Sequence, residues 1–250
     1  MEIILYTYVI LFGFIIGSFL NVVIYRIPLK LSVVKGYSFC PKCNKRLTIL
    51  DLVPLFSYIF LLGKCRYCKE KISFRYPLVE TLNALFYLLI YLAYGFSVET
   101  LIYFIVSSCL VSLSFIDIDK KIIPDRFQII IGICAIILLI FSNNISPLDR
   151  VIGLFIISVP FLIIALFGGM GEGDVKLFAV CGFLIGWKLI LLSMLISSIV
   201  AAIVGIYLMI VKKADKKSEI PFGPYIALAV LVSILFGENI INAYLSLIFK

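Results

Sequence analysis

The sequence predicts an all-α polytopic membrane protein of about eight transmembrane helices, with a cytoplasmic zinc-ribbon loop between the first and second. Three observations predict it. Of the 250 residues, 63% are hydrophobic and only 14% charged, whereas soluble domains run nearer half and a quarter. The mean hydropathy of +1.19 exceeds what one soluble core of this size can hide, which excludes a soluble enzyme, a disordered chain and a secreted disulfide miniprotein. Long uncharged runs recur along the whole length, and the Lys and Arg residues crowd into a few segments between them. The net charge of +8 is therefore read as membrane topology and not as a nucleic-acid surface.

The first span is Ile3–Tyr25, 23 residues without a charge, against the roughly 20 that a bilayer core requires. Basic residues follow it instead of preceding it, the reverse of a cleaved signal peptide, so it reads as a retained helix with its amino end outside. Segment 26–76 is the longest polar stretch, with eleven Lys/Arg against Asp51 and Glu70. The apolar runs after it are 77–97, 100–116, 127–142, 151–167, a short 177–187, 189–211, and one from 221 towards 249. Alternating them from an outside amino end puts 26–76, 117–126, 168–176 and 212–219 in the cytoplasm. These hold 19 of the 22 Lys/Arg, the bias that the positive-inside rule requires.

The first loop contains Cys40-Pro-Lys-Cys43 and Cys65-Arg-Tyr-Cys68, separated by 21 residues. Two such knuckles supply the four thiolates of a tetrahedral zinc site. Disulfides fit poorly in a reducing cytoplasm, and a redox role suits one CxxC better than two. A closed four-thiolate site folds its loop and does not activate water. Cys109, Cys134 and Cys181 lie in apolar runs and read as packing residues.

Two acidic groups stand apart from ordinary loop charges. Asp117, Asp119 and Asp125 fall within nine residues at the inner end of the third span. Asp174 follows the glycine-rich stretch Gly168-Gly-Met-Gly171-Glu-Gly173. Ionisable groups at such depth are costly and usually functional. Two aspartates within hydrogen-bonding reach share a proton, one acting as base on a water and the other as acid at a scissile carbonyl. The chain has no histidine, which removes Ser-His-Asp, Cys-His and His-ligated zinc chemistry. A phosphate-binding P-loop is excluded because no Gly-Lys-Ser/Thr follows the glycines. Spacing leaves the choice among Asp117, Asp119 and Asp125 open, although 117 and 119 point to different helix faces. Lys176 reads either as an interfacial side chain or as a cation biasing the aspartates, and Glu80 as a partner for a basic residue.

These motifs together resemble the type IV prepilin peptidases, the GxGD-type aspartic leader peptidases of bacteria. The resemblance rests on Gly17-Ser-Phe-Leu-Asn-Val-Val-Ile-Tyr-Arg26-Ile-Pro28, the paired cysteines, Phe74-Arg-Tyr-Pro77-Leu-Val-Glu80, Asp117 seven residues before Pro124, and Gly171-Glu-Gly173-Asp174. It implies Asp117 and Asp174 as the catalytic pair and Cys40, Cys43, Cys65 and Cys68 as structural zinc ligands. It implies a bacterial plasma-membrane enzyme that cuts the basic leader of prepilins and pseudopilins at the cytoplasmic face. Methylation of the new amino terminus with S-adenosylmethionine follows in many members, although no GxGxG nucleotide loop is visible. The expected division is 1–98, carrying the zinc loop and a methyltransferase part, and 99–250, the peptidase membrane domain. A transporter with cation-binding aspartates, and an assembly factor that docks a cytosolic partner through the ribbon, are the competing readings.

Overall fold

The computed structural model describes residues 2–142, 144–212 and 220–248; of the cytoplasmic segment expected at 212–219, all but the backbone of Lys212 lies outside the described residues. The regular secondary structure of the described residues is helical, with no β-strand, and 27–74 is mostly turns and loop. Among the described residues, six helical stretches are long and apolar enough to cross a bilayer, one of them the broken Pro147–Leu166. In chain order the helices are α1 (Glu2–Arg26), α2 (Phe56–Phe60), α3 (Arg75–Tyr94), α4 (Val98–Lys120), α5 (Asp125–Phe141), α6 (Pro147–Ile156), α7 (Ser158–Leu166), α8 (Glu172–Lys212) and α9 (Gly223–Ile248). The chain divides into two compact units, Met1–Ser112 and Leu113–Lys250, with the boundary inside α4.

The eight-span expectation differs from six at two places, each with a physical reason. The first is α5, an apolar helix of 17 residues, short for a crossing that takes roughly 20. The second is α8, where two expected spans form one helical stretch interrupted at Gly186, whose φ of 79° and ψ of 170° are non-helical. Only glycine adopts such a conformation at low cost. The bend is sharp enough that a Cβ on Gly182 would touch Ile190. The span expected at 151–167 consists of α6 and α7, broken at Ile157.

In the first unit, α1 and α3 pack so closely that a Cβ on Gly17 would lie 2.7 Å from the Glu80 Cα. Small residues allow such approach, and backbone contact then replaces the hydrophobic drive that lipid does not supply. Buried polar groups cross-link the helices. Asn83 donates to the Gly13 carbonyl at 2.8 Å, Ser108 donates to Asn83 Oδ1 at 3.1 Å, and Tyr87 shares a hydrogen bond with Ser108 at 2.9 Å. Tyr87 also stacks on Phe104, ring centroids 4.0 Å apart.

In the second unit, Ser146 caps α6 by accepting the Asp149 amide, with Pro147 at the first turn. Gly153 of α6 meets Gly182 of α8 backbone to backbone. Arg150, 1% exposed, donates to the Leu184 carbonyl at 2.7 Å and the Phe183 carbonyl at 3.3 Å. Those carbonyls end the first half of α8, so the guanidinium supplies donors where the bend removes backbone N–H groups. Asp149 accepts the Trp187 indole N–H at 2.9 Å just beyond the bend. The second half of α8 joins α9 through Ser193 and Ser233, 2.8 Å apart.

Candidate active site and cysteine cluster

Asp117 lies in the last full turn of α4, on the buried side, and is 5% exposed. The helix ends at Lys121, whose amide returns to the Asp117 carbonyl at 2.8 Å and whose φ is 55°, a left-handed stop. Pro124 then caps the start of α5 in an extended conformation. The intervening Ile123 reaches both glycine sites: a Cβ on Gly173 would lie 3.1 Å from it, and one on Gly223 would lie 3.0 Å from it.

The glycine-rich break between α7 and α8 presents Asp174. Its amide bonds to the Gly171 carbonyl at 3.1 Å, forming the first turn of α8. A Cβ on Gly171 would stand 3.2 Å from Asp174 Oδ2, so the motif's glycine leaves the carboxylate room. The other oxygen, Oδ1, is buried with no hydrogen-bond partner among the described residues. The two carboxylates share a neighbour, since Ile123 stands against Gly173, next to Asp174, and against Gly223, whose backbone meets Asp117. Both belong to the second unit.

Two residues outside the expected set complete this arrangement. The Gly223 amide at the start of α9 donates to Asp117 Oδ2 at 3.0 Å. Buried Gln128 of α5 donates from Nε2 to the Gly173 carbonyl at 2.9 Å and so ties the glycine break to α5. Neither was accessible from sequence, since Gly223 is 106 positions from Asp117 and no spacing rule joins a glutamine to that loop.

The other acidic candidates lie elsewhere. Asp119 is exposed. Asp125 is exposed and pairs with Lys176 at 3.2 Å, so Lys176 engages Asp125 and not Asp117 or Asp174. Glu80 accepts the Leu55 backbone amide at 2.8 Å, in place of the basic side chain that its position suggested.

The cysteine loop forms two matching knuckles. In the first, the Cys40 amide bonds to the Lys45 carbonyl at 3.0 Å and the Asn44 amide to the Cys40 carbonyl at 2.8 Å. In the second, Cys65 bonds to Glu70 at 2.8 Å and Lys69 to Cys65 at 3.0 Å. Asn44 and Lys69 occupy the same left-handed position, with φ of 54° and 59°. A bridge flanks each knuckle, Phe39 with Arg46 and Lys64 with Lys71. The four Sγ atoms all lie within 4.8 Å of one another, and Cys40 and Cys68 are 3.9 Å apart. Tetrahedral zinc at about 2.3 Å from each sulfur separates the sulfurs by about 3.8 Å, so the donor set fits that ion. The Cys43 amide and, after the opposing effect of burial, that of Lys42 bring the Cys40 thiol down to about 7. Cys68 accepts the Glu70 amide, which lowers it, yet burial and the neighbouring thiols hold it up at about 11. Four adjacent thiols cannot all ionise without a cation among them.

Comparison with known proteins follows this division of motifs. Residues 11–94 match the model of the bacterial peptidase A24 N-terminal domain, and residues 104–206 match that of the type IV leader peptidase family. A prepilin leader peptidase/N-methyltransferase of Aeromonas salmonicida is 34% identical, over 97% of this chain and 94% of the relative. Proteins of the same name from Bacillus subtilis and Pseudomonas aeruginosa are 34% and 33% identical, covering 95% and 94% of this chain and 96% and 92% of theirs. No solved structure matches. With two family models across successive parts of the chain and full-length relatives above three-tenths identity, the chain belongs to the type IV leader peptidase family.

Proposed function

We propose that the protein is a membrane aspartic endopeptidase that removes the basic leader of type IV prepilins and pseudopilins and then N-methylates the new amino terminus. The observation that carries the peptidase reading is the shared glycine-lined surrounding of buried Asp117 and half-buried Asp174: Asp117 is held by the Gly223 amide, and Asp174 Oδ1 has no hydrogen-bond partner among the described residues. Exposed Asp119 and the ion-paired Asp125 do not share this environment.

The chemistry follows from two carboxylates sharing one proton. The ionised member takes a proton from a water as its oxygen bonds to the scissile carbonyl carbon. The protonated member gives its proton to the carbonyl oxygen. Collapse of the diol breaks the C–N bond; the leaving nitrogen takes the first carboxyl's proton, and the diol returns one to the second. The cut falls at the cytoplasmic membrane face, where a pilin precursor keeps its leader while its hydrophobic helix stays in the bilayer. That orientation of the aspartates and the zinc loop rests on the Lys/Arg distribution.

The part 99–250 carries the peptidase chemistry, and 1–98 carries the zinc loop and serves methyl transfer. Zinc on Cys40, Cys43, Cys65 and Cys68 folds a loop that has no core of its own. The methyl donor is S-adenosylmethionine, which supplies an electrophilic methyl group to the freed amine; no residue is assigned to its binding. A transporter reading leaves the four-thiol loop and the peptidase family match without a purpose.

Purified protein incubated with a prepilin, followed by product mass, tests this. A leader-sized loss, and then one methyl group gained only with S-adenosylmethionine, is the expected result. Folded protein that leaves the precursor intact contradicts the peptidase reading.

A further inference from the structure

The stretch between the two knuckles, residues 48–62, plays no part in the metal cluster or the aspartate site. It is apolar except for Thr48, Asp51, Ser57 and the Tyr58 hydroxyl. Ile49, Phe60 and Leu62 are 85%, 81% and 83% exposed, and Leu50, Phe56 and Ile59 are more than half exposed. They lie outside the long apolar helices, in a loop otherwise dense in Lys and Arg. An apolar face of this kind does not remain in water without a purpose.

One hydrogen bond holds it against α3. Leu55 donates its amide to Glu80 Oε2 at 2.8 Å. Glu80 is not at the mouth of α3: it follows Arg75 by more than one turn, roughly 7 Å along the axis. It packs against Gly17 of α1, more than two turns before Arg26 ends that helix. The middle of the stretch therefore lies alongside the ends of α1 and α3 and not out beyond them.

Its charge is also removed. Asp51 is paired with Arg66 Nε at 2.6 Å, and its side chain is 4% exposed. Its second oxygen accepts the Thr48 amide and hydroxyl at 3.0 and 2.7 Å. With Asp51 internally satisfied, the outward face of residues 48–62 is mostly apolar and carries no free charge, and the segments on either side offer cations. This is the pattern of a segment lying in a membrane interface, with apolar groups roughly 5–10 Å into the headgroup–acyl boundary and basic groups on anionic lipid.

We infer that residues 48–62 form a re-entrant lipid anchor, seated in the headgroup–acyl boundary of the leaflet that α1 and α3 share with the zinc loop. The anchor ties both knuckles to the membrane surface, because it joins the end of one to the start of the other. That this leaflet is the cytoplasmic one rests on the orientation proposed above; the depth does not.

Tryptophan depth measurement tests this on the full chain. The only tryptophan, Trp187, is replaced by Phe, and single probes are introduced as Ile49→Trp, Phe60→Trp and, as a reference within α1, Ile15→Trp. Each protein is reconstituted in phosphatidylcholine–phosphatidylglycerol vesicles containing lipids brominated near the top or near the end of the acyl chain. The expected result is blue-shifted emission from positions 49 and 60, with about half of it lost to the shallow bromines and little to aqueous acrylamide. The α1 reference loses more to the deep bromines. Red-shifted emission quenched by acrylamide and indifferent to bromine would overturn the inference. So would probes shielded from both quenchers, because protein would then cover the face. Leader cleavage by the unsubstituted enzyme is scored separately, so its failure and that of the anchor are distinguishable.

Discussion

Among the described residues, a backbone amide and no charged side chain is the partner of Asp117: Gly223 donates from the first turn of α9 at 3.0 Å. A Cβ at position 223 would meet Asp117 Oδ2 at 2.7 Å and Ile123 at 3.0 Å, so an alanine there must displace the carboxylate. Gly223→Ala should lower leader cleavage about a hundredfold, because misplacing a reacting group by about 1 Å has that effect. The protein should still insert, and methylation of an already cleaved pilin, measured by product mass, should change little. At this scale the sequence was only partly legible. Composition and spacing left the choice among Asp117, Asp119 and Asp125 open, with 117 and 119 on different helix faces, and the burial of Asp117 separates it from the two exposed ones. The resemblance of the motifs selected Asp117, but it gave no physical reason. That reason lies in Gly223, and contact across 106 positions leaves no local pattern to read.

The elements differ in how openly the sequence announces them. The knuckles were legible because a CxxC turn is local: six residues close two backbone hydrogen bonds, and Asn44 and Lys69 take the left-handed position after each pair. Removing the metal should release the loop as a unit. Thiol titration of purified protein should find four additional reactive groups appearing together on addition of a chelator, while buried Cys109, Cys134 and Cys181 stay protected until the protein unfolds. Thiols appearing one by one, or no change with chelator, would contradict a shared ion. The bend in α8 was not legible. Lys188 separated the two apolar runs 177–187 and 189–211, whereas the helical stretch is interrupted at Gly186, inside the first of them. The compensation lies on another element, where Arg150 takes the carbonyls of Phe183 and Leu184. From sequence, Arg150 was merely one of three basic residues left outside the cytoplasmic segments; its burial follows from tertiary packing that periodicity does not encode.

For the whole molecule, composition and charge were the most informative features. High hydropathy with few charges required a membrane fold, and the helical structure agrees with it. The number of spans was less legible, because a 17-residue helix and a bent one sit at the limit of what length alone can decide. The Lys/Arg distribution makes a directional prediction. A membrane-impermeant maleimide with chelator should label Cys68, the exposed member of the cluster, in inverted membrane vesicles but not from the outside of intact cells; labelling from outside would reverse the topology. The central claim is that two aspartates from distant parts of the chain act as one hydrolytic unit. The most direct test is kcat/KM for leader cleavage by Asp117→Asn, Asp174→Asn and the double variant, each checked for membrane insertion. The account predicts that each single change removes at least about a thousandfold of the rate, and that the double variant is no worse than either, as for residues that act as a unit. Cleavage within about tenfold of the parent in either single variant would contradict it.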